Sequence, residues 1–448
     1  MEKYLRHYAE PEIAALDDLP AQPCWENVMV MPACNETDGL LRPPPPCGGR
    51  SLMVLVINEP VSATREVSIS NRVLAAAVEE HFVPLWQSAP GAGLSLWRDT
   101  LAERDVLLAD RFSAGRQLPA RGGVGFARKI GADLALSLVH RQRIRTTWIH
   151  CTDADVQLPG TYFNSSNKLG ERRSKYSALL YPFHHCDDPD KVESTEVLLA
   201  TLLYELSLRY YVAGLKSARS PYAFHTIGST MAVNALHYAK VRGFPKREAG
   251  EDFYLLNKLA KVGPVLEGGL DSGFDAIEIA SRRSDRVPFG TGAAVNKITA
   301  LADPVSDFEF YHPAVFGLLK LWLQSLPAVW RSGSADLKIE LFSGFADNQD
   351  QVNQGRALLA ALKKIKTDQA LEHAFRQSAG LEQFTRQMHT WFDAFRTLKL
   401  IHALRDSRLP SINYATLEAS PLFHKLLAED PDLSVFHERL LNESGAGA

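Results

Sequence analysis

Short apolar runs alternate with polar, glycine-rich and proline-containing stretches through the first half of the chain. The clearest runs are residues 28–31, 52–57, 106–109 and 147–151, with helical stretches between several of them. This pattern predicts parallel strands buried on both faces of a sheet. Ligands of such sheets lie beyond the carboxyl ends of the strands. Candidate site residues are therefore sought just after Met31, Ile57, Ala109 and Cys151.

The pattern changes character further along the chain. A long helix is predicted from Asp190 to about Ser217, with Asp190 as N-cap and Glu193 at the reciprocal capping-box position. Beyond residue 300 the strand signals fade, and apolar residues recur at helical spacing in 316–326, 352–365 and 381–404. The predicted organisation is an extension over 1–24, an α/β domain over 25–300 and a mainly helical region over 301–448.

Composition excludes several classes of protein. The 448 residues carry a formal net charge of −3, which argues against a general nucleic-acid binder. The five cysteines include no CxxC pair, so neither a disulfide framework nor a zinc site is predicted. The charged N-terminus has no apolar core of a signal peptide, and a cytoplasmic location is expected. The apolar stretch 313–330 contains Lys320 and Pro327 and predicts a buried helix; a helix lying on a membrane surface is the alternative.

The first chemical motif is Asp153-Ala154-Asp155, directly after a predicted strand. Alternating residues of an extended segment point to the same side, so both carboxylates could face one cleft. Carboxylate and phosphate oxygens together suit Mg²⁺ or Mn²⁺. Two acidic turn residues facing solvent are the simpler alternative, and one such motif by itself has little weight.

The second motif is a glycine-rich segment, Arg121-Gly-Gly-Val-Gly-Phe-Ala-Arg128, that leads into a helix. Such a helix start can bind an anion, and Arg121 and Arg128 could contact phosphate. The segment lacks the ending of a Walker A loop and the spacing of a dinucleotide-binding fingerprint. A plain turn into an amphipathic helix remains the alternative.

The third motif is Glu251-Asp252 at the start of a predicted helix. Acidic residues favour this position because of the helix dipole alone. The functional hypothesis makes Asp252 a general base that takes a proton from a hydroxyl group.

Two further segments contain residues that could contact a ligand. Arginines 282, 283 and 286 precede Gly290 and Gly292, and such a loop could close on an anionic group. A solvated linker fits these residues equally well. The pair His184-His185 could contact a metal or acceptor, although paired loop histidines are more often polar surface.

Taken in order, these segments resemble a GT-A glycosyltransferase, nearest to glycosyltransferase family 2. Pro32-Ala33-Cys34-Asn35-Glu36 is similar to that family's P-x-Y-N-E segment, and residues 122–136 to its glycine-led helix, with Arg128 and Gly131 in register. Residues 147–160 are similar to its metal-binding strand, 228–233 to its glycine-led acceptor segment, and 243–263 to its Glu-Asp helix. The resemblance covers about residues 25–270.

The resemblance implies a GT-A fold and transfer from a UDP- or GDP-sugar to a hydroxyl acceptor with Mn²⁺ or Mg²⁺. The implied metal ligands are Asp153 and Asp155, and the implied catalytic residues are Asp252 and Glu251. The implied donor-binding residues are Pro32, Asn35, Glu36, Asn58, Arg121, Arg128 and Asp153. The implied acceptor-binding residues are Gly228, Ser229, Thr230 and Arg286. Cys34 departs from the family's aromatic residue, and Asn58 stands where the family has a base-reading aspartate.

Other functions stay open at this point. A non-catalytic relative that binds nucleotide sugars or glycans would be expected to lack one of Asp153, Asp155 and Asp252, and all three are present. A retaining enzyme acting on a small anionic acceptor could share this layout. A nucleotidyltransferase is disfavoured because residues 31–39 do not form a glycine- and arginine-rich loop. The helical region could also bind a protein partner or a membrane surface.

Overall fold

A computed structural model describes residues 1–41, 48–167, 174–186, 194–268, 274–284, 290–338 and 349–444. These residues form two compact units. The first contains residues 1–193 and 226–294, and the second contains 194–225 and 295–448. The second boundary lies close to the predicted limit at 300. The segment 194–225, which the sequence prediction assigned to the α/β domain, belongs to the second unit.

The first unit is built on a nine-stranded mixed sheet. Its strands and those of a smaller sheet are β1 (Asn27–Ala33), β2 (Ser51–Asn58), β3 (Val83–Gln87), β4 (Leu94–Arg98), β5 (Arg104–Arg111), β6 (Trp148–Cys151), β7 (Val156–Gln157), β8 (Ala178–Leu180), β9 (Phe183–Cys186), β10 (Met231–Asn234), β11 (Val265–Glu267) and β12 (Ile277–Ala280). The large sheet has the order β11-β8-β10-β6-β1-β2-β5-β4-β3, and the small sheet the order β7-β12-β9.

The centre of the large sheet is parallel. Strand β1 pairs in parallel with β2 and β6, and β2 pairs in parallel with β5. Strand β10 runs antiparallel between β6 and β8, and β4 runs antiparallel to β5. The four strands predicted from the apolar runs are β1, β2, β5 and β6, and every residue of β1 and β2 is buried. The short antiparallel strands give no comparable apolar signal.

Helices cover the sheet of the first unit. They are α1 (Glu2–His7), α2 (Arg65–His81), α3 (Gly123–His140) and α4 (Tyr162–Asn167), and, after the segment that belongs to the second unit, α6 (Ala235–Lys240) and α7 (Glu251–Leu259). Helix α3 packs closely on the sheet because Gly131 has no side chain. A Cβ atom there would lie 3.2 Å from Cγ2 of Val56 in β2. A glycine at this position brings the start of α3 to the carboxyl ends of the strands.

The N-terminal residues pack on α3 through a buried polar network. Asp133 is fully buried and accepts hydrogen bonds from the hydroxyls of Tyr4 and Tyr238 at 2.6 and 2.9 Å. Its other oxygen accepts from Lys129 Nζ and from the backbone N–H of Glu10. A buried carboxylate with this many donors needs no further partner, so these contacts hold residues 1–10 against the helix that carries Arg128.

The second unit is helical. It contains α5 (Thr195–Ser217), most of α8 (Thr291–Thr299), α9 (Pro304–Asp307), α10 (Ala314–Ser332), α11 (Gln349–Lys364), α12 (Thr367–Gln377), α13 (Leu381–Trp391), α14 (Ala394–Ser407), α15 (Tyr414–Glu418), α16 (Pro421–Glu429) and α17 (Pro431–Ser444). Two short strands, β13 (Glu309–Phe310) and β14 (Ile412–Asn413), pair antiparallel. The predicted helix at 381–404 is two helices, since Asp393 caps the second one.

The predicted fold class is confirmed: a mixed α/β sheet flanked by helices, with a helical C-terminal part. The start of the long helix was predicted wrongly. Helix α5 begins at Thr195, with Ser194 as N-cap accepting from the backbone N–H of Val197, and Asp190 and Glu193 lie outside the described residues. Residues 314–332 form the predicted buried helix. Among the helices described, none combines the length and the apolar character needed to cross a membrane.

Candidate active site

Polar residues meet at the carboxyl edge of the parallel strands. The register pairs Val30 with Cys151 and Ala33 with Ile57, so the residues after β1, β2 and β6 lie along one edge. The polar residues that follow these strands are Asn35 and Glu36, Glu59, and Asp153 and Asp155. The carboxyl edge, which the sequence predicted as the place of the ligand, is therefore the edge at which these polar residues lie.

Arg128 is the centre of this edge. Its side chain is 3% exposed, in the second turn of α3. Nη2 donates to Asp153 Oδ1 at 2.5 Å, and Nη1 donates to the backbone carbonyl of Gly228 at 2.8 Å. Nε lies 2.8 Å from Oε1 of Glu251. One guanidinium group thus joins the end of β6, the start of α7 and the turn before β10.

Gly228 is needed for this arrangement. It opens a 3-10 turn, Gly228–Thr230, and a Cβ atom on it would lie 2.8 Å from Nη2 of Arg128. The two residues that follow, Ser229 and Thr230, are buried, and Thr230 Oγ1 donates to the carbonyl of Ile227. The glycine therefore serves the close approach of a buried arginine, which is a role the sequence resemblance did not suggest.

Glu251 and Asp252 begin α7 as predicted. The residue before them, Gly250, has φ of 72°, a left-handed conformation that favours glycine. Glu251 is buried against Arg128, whereas Asp252 is partly exposed, and its Oδ1 accepts from the backbone N–H of Phe253 at 2.6 Å. The two acids consequently have different surroundings, and Asp252 is the more accessible.

A second arginine, Arg282, links Asp155 to Glu36 at the other end of the site. The antiparallel pairing of β7 with β12 places Ile279 opposite Val156, and the chain leaving β12 reaches Arg282 beside Asp155. Nη2 of Arg282 lies 2.6 Å from Asp155 Oδ2 and 3.3 Å from Glu36 Oε1. The sequence drew attention to this arginine-rich loop but assigned a site role to Arg286, which lies outside the described residues.

Burial and mutual repulsion shift the proton affinities of these acids. Burial, together with the charges of Asp155 and Glu251, raises the pKa of Asp153 to about 6 even though Arg128 opposes the rise. Burial and the charge of Asp252 raise the pKa of Glu251 to about 7. Burial also raises the pKa of Asp252, and hydrogen bonds from the backbone N–H groups of Phe253 and Gly228 oppose that rise.

Carboxyl groups outnumber guanidinium groups among the described residues of this cluster. The carboxyl groups come from Glu36, Asp153, Asp155, Glu251 and Asp252, and the guanidinium groups from Arg128 and Arg282. No three of the described His, Cys, Asp or Glu side chains are arranged so that they could hold a metal ion together. The carboxylates of Asp153 and Asp155 nevertheless fit a hard divalent cation, since cations of this kind take oxygen ligands and complete their shell with water or substrate phosphate.

Other predicted donor-binding residues lie at the same edge, and their hydrogen bonds within the described residues do not involve the charged cluster. Asn58 is 6% exposed, and its Nδ2 donates to the carbonyls of Ala33 and Val56, so recognition of a base N–H would have to use Oδ1. The backbone N–H of Asn35 donates to Oδ1 of Asn71 at 3.0 Å. Pro32 is buried within β1.

Two predicted groups do not join the cluster. Arg121 is exposed before α3 and forms no ion pair with any residue that the structure describes. His185 is buried within β9, with Nε2 3.2 Å from Thr291 Oγ1, and His184 lies 3.6 Å from Glu278. The histidine pair therefore has its own partners, Glu278 in the small sheet and Thr291 at the start of α8.

Sequence reasoning missed two side chains beside Asn58. Glu59 is buried and accepts from Ser68 Oγ at 3.1 Å, and Asn71, fully buried in α2, donates to the carbonyl of Asn58 and to Glu59. An acid one residue beyond the family's usual position was visible in the sequence. Asn71 gave no signal because its role arises only when α2 packs against the ends of β1 and β2.

Comparisons with known proteins find similarity among solved structures. No protein-family model matches the chain, and no curated protein does. Among solved structures, the mannosyltransferase PcManGT from Pyrobaculum calidifontis, in complex with GDP-Man and Mn²⁺, aligns over 89% of this chain and 94% of its own. Its sequence identity is 16% and its TM-score is 0.32, and a likeness at this level carries no argument about function.

Proposed function

We propose that this chain is a GT-A glycosyltransferase that uses a divalent cation to transfer a sugar from a nucleoside-diphosphate sugar to a hydroxyl group. The observation that carries the proposal is the charged cluster at the carboxyl edge of the sheet. Segments far apart in sequence bring the carboxylates of Asp153, Asp155 and Asp252 and the guanidinium groups of two arginines together there. This combination suits an anionic diphosphate and a proton-accepting step.

The cation would be held by Asp153 and Asp155. When bound, it would neutralise charge on the donor diphosphate as the bond to the sugar breaks. Arg128 is buried and already engaged with Asp153 and Glu251, so we assign it a positioning role rather than direct contact with phosphate. Arg282 is 20% exposed, and it could exchange its carboxylate partners for diphosphate oxygens when the donor binds.

Asp252 is the proposed general base. The acceptor hydroxyl would give its proton to the Asp252 carboxylate as its oxygen bonds to the anomeric carbon, and the nucleoside diphosphate would leave with the electron pair of the broken bond. A raised pKa makes this carboxylate a stronger proton acceptor than an exposed aspartate. A single displacement of this kind inverts the configuration at the anomeric carbon. The stereochemistry of the product, measured by NMR, tests that point.

A ligand screen tests the proposal directly. The melting temperature would be measured with UDP, GDP, other nucleoside diphosphates and their sugars, including GDP-mannose, with and without Mn²⁺. A ligand that binds only the folded state raises this temperature, and we expect one base to do so only when Mn²⁺ is present. The shift should grow between about pH 5 and 7, because Asp153 must lose its proton to bind the cation and its pKa is raised to about 6. No shift with any nucleotide would contradict the proposal.

Replacing Asp252 with asparagine should lower kcat by about 100-fold or more while changing donor affinity little. Asparagine keeps the shape of the side chain but cannot accept the proton. Donor titration of the variant by calorimetry and single-turnover rates separate the two quantities. In the parent enzyme, kcat should fall as pH decreases through the raised pKa of Asp252, since only the ionised carboxylate accepts a proton. A loss of affinity with unchanged kcat would reassign Asp252 to donor binding.

A further inference from the structure

The helical unit contains a cavity far in sequence from the residues of the candidate active site. Its volume is about 340 Å³, at the lower end of the range of about 300–1,000 Å³ common for small-molecule sites. It is lined from α12, α13 and the start of α14. All of its lining residues belong to the second unit, so its chemistry can be considered independently of the proposed transferase function.

One face of α12 gives the cavity its chemical character. Lys366, Gln369, Ala370, His373 and Ala374 line the cavity, a spacing that follows one side of a helix. The acids of the same helix, Asp368 and Glu372, are exposed and are not among the lining residues. Positive and apolar side chains therefore face the cavity, and the negative ones are on another side.

Residues from α13 and α14 add apolar surface and an arginine to the cavity lining. Met388, 1% exposed, and Trp391 come from α13, and Arg396 from α14 stacks over the Trp391 ring at 4.6 Å. Arg396 Nη1 also donates to the carbonyl of Trp391 at 2.8 Å, which holds the guanidinium beside Trp391 in the cavity lining. Apolar surface and fixed positive charge thus lie side by side.

The basic residues of the cavity have few acidic partners among the described residues. Arg396 lies 3.8 Å from Asp393, the residue that caps α14. Lys366 and His373 form no ion pair within the portion of the chain that the structure describes. Lys366 also has φ of 64°, a left-handed conformation uncommon for lysine, at the N-cap of α12. No acidic side chain from the described residues lines the cavity.

We propose that this cavity binds a small amphipathic anion, with the anionic group at Lys366, His373 and Arg396 and a short apolar body against Ala374, Met388 and Trp391. The anionic group would gain charge-assisted hydrogen bonds from Lys366 and Arg396 and a further hydrogen bond from His373, which all line the same cavity. The apolar body would cover apolar lining surface that a free inorganic anion leaves exposed to water. Phosphate, sulfonate and carboxylate groups share the chemistry that these donors recognise.

The test uses the full chain and octyl phosphate as the probe, measured by isothermal titration calorimetry. We expect saturable binding at one site per chain, with octanol and inorganic phosphate each binding much more weakly. Lys366→Glu and His373→Gln should each weaken octyl phosphate binding by about tenfold or more, because each removes a donor from an exposed position that the fold does not require. Lys425→Glu, an exposed charge reversal on α16, serves as the matched control and should bind as the parent does.

Three results would overturn the inference. The first is the absence of saturable binding to the parent, and the second is equal binding to the parent and to the Lys366 and His373 variants. The third is equal affinity for octyl phosphate and either octanol or inorganic phosphate, since the anion and the apolar body are then not recognised together. Melting curves of each variant, compared with that of Lys425→Glu, verify that a lost signal does not come from unfolding.

Discussion

Replacing Asp155 with alanine will abolish sugar transfer and remove the Mn²⁺ dependence of donor binding. Loss of an outer-shell partner of a metal ligand already costs roughly 10–100-fold in metal affinity or activity, so loss of a direct ligand should exceed about 100-fold. The fold should survive, because Arg282 is partly exposed and keeps Glu36 as a partner. Calorimetry with Mn²⁺ and the matching nucleotide, and release of nucleoside diphosphate, measure the two effects.

Glu278→Ala is the control for this prediction. Glu278 lies in β12, within the same small sheet, and its side chain is 45% exposed beside His184. The control should retain metal-dependent binding and activity. Full activity of Asp155→Ala, or metal-independent activity of the parent, would count decisively against a cation held by Asp153 and Asp155.

Replacing Arg128 with alanine will destabilise the first unit strongly. Removing one partner of a buried ion pair leaves the other charge without compensation, at a cost of about 3–5 kcal/mol. Asp153 is one-third exposed and can regain some water, so we expect about 3 kcal/mol, arising mainly from Glu251. For a unit of this size the melting temperature should fall by roughly 6–12 °C. Urea unfolding and thermal melting at neutral pH measure the change.

Two further variants show whether the unpaired charge is the cause. Arg121→Ala removes an exposed arginine from the same glycine-rich segment and should change stability by less than about 0.5 kcal/mol. Adding Glu251→Gln to Arg128→Ala removes the buried charge and should restore part of the loss. Equal stability of Arg128→Ala and Arg121→Ala would mean that the buried pairs contribute little to the fold.

The central strands could be predicted because their signal is local. Strands β1, β2, β5 and β6 are buried on both faces, so each appears as an apolar run that needs no knowledge of its neighbours. The remaining strands were not predicted, since strands as short as β7 and β12 are defined by pairing partners far away in sequence. The sequence also did not predict that the second unit is made of two separate segments of the chain. Its first helix, α5, is separated from its other helices by residues that belong to the first unit.

The sequence alone determined which residue types were available at the ends of the buried strands and at the start of α7. It predicted that Asp153 and Asp155 lie at the carboxyl edge of the sheet, because parallel strands share the direction of their carboxyl ends, whereas Asp252 was assigned to the site through the resemblance to a family. Only the tertiary structure decided which charges face each other. Arg128 pairs with Asp153 and Glu251, and Arg282 with Asp155 and Glu36, through the packing of α3 and the pairing of β7 with β12. Ion pairs between residues about 25 to 250 positions apart leave no periodic pattern along the chain, because their partners meet only after the backbone has folded.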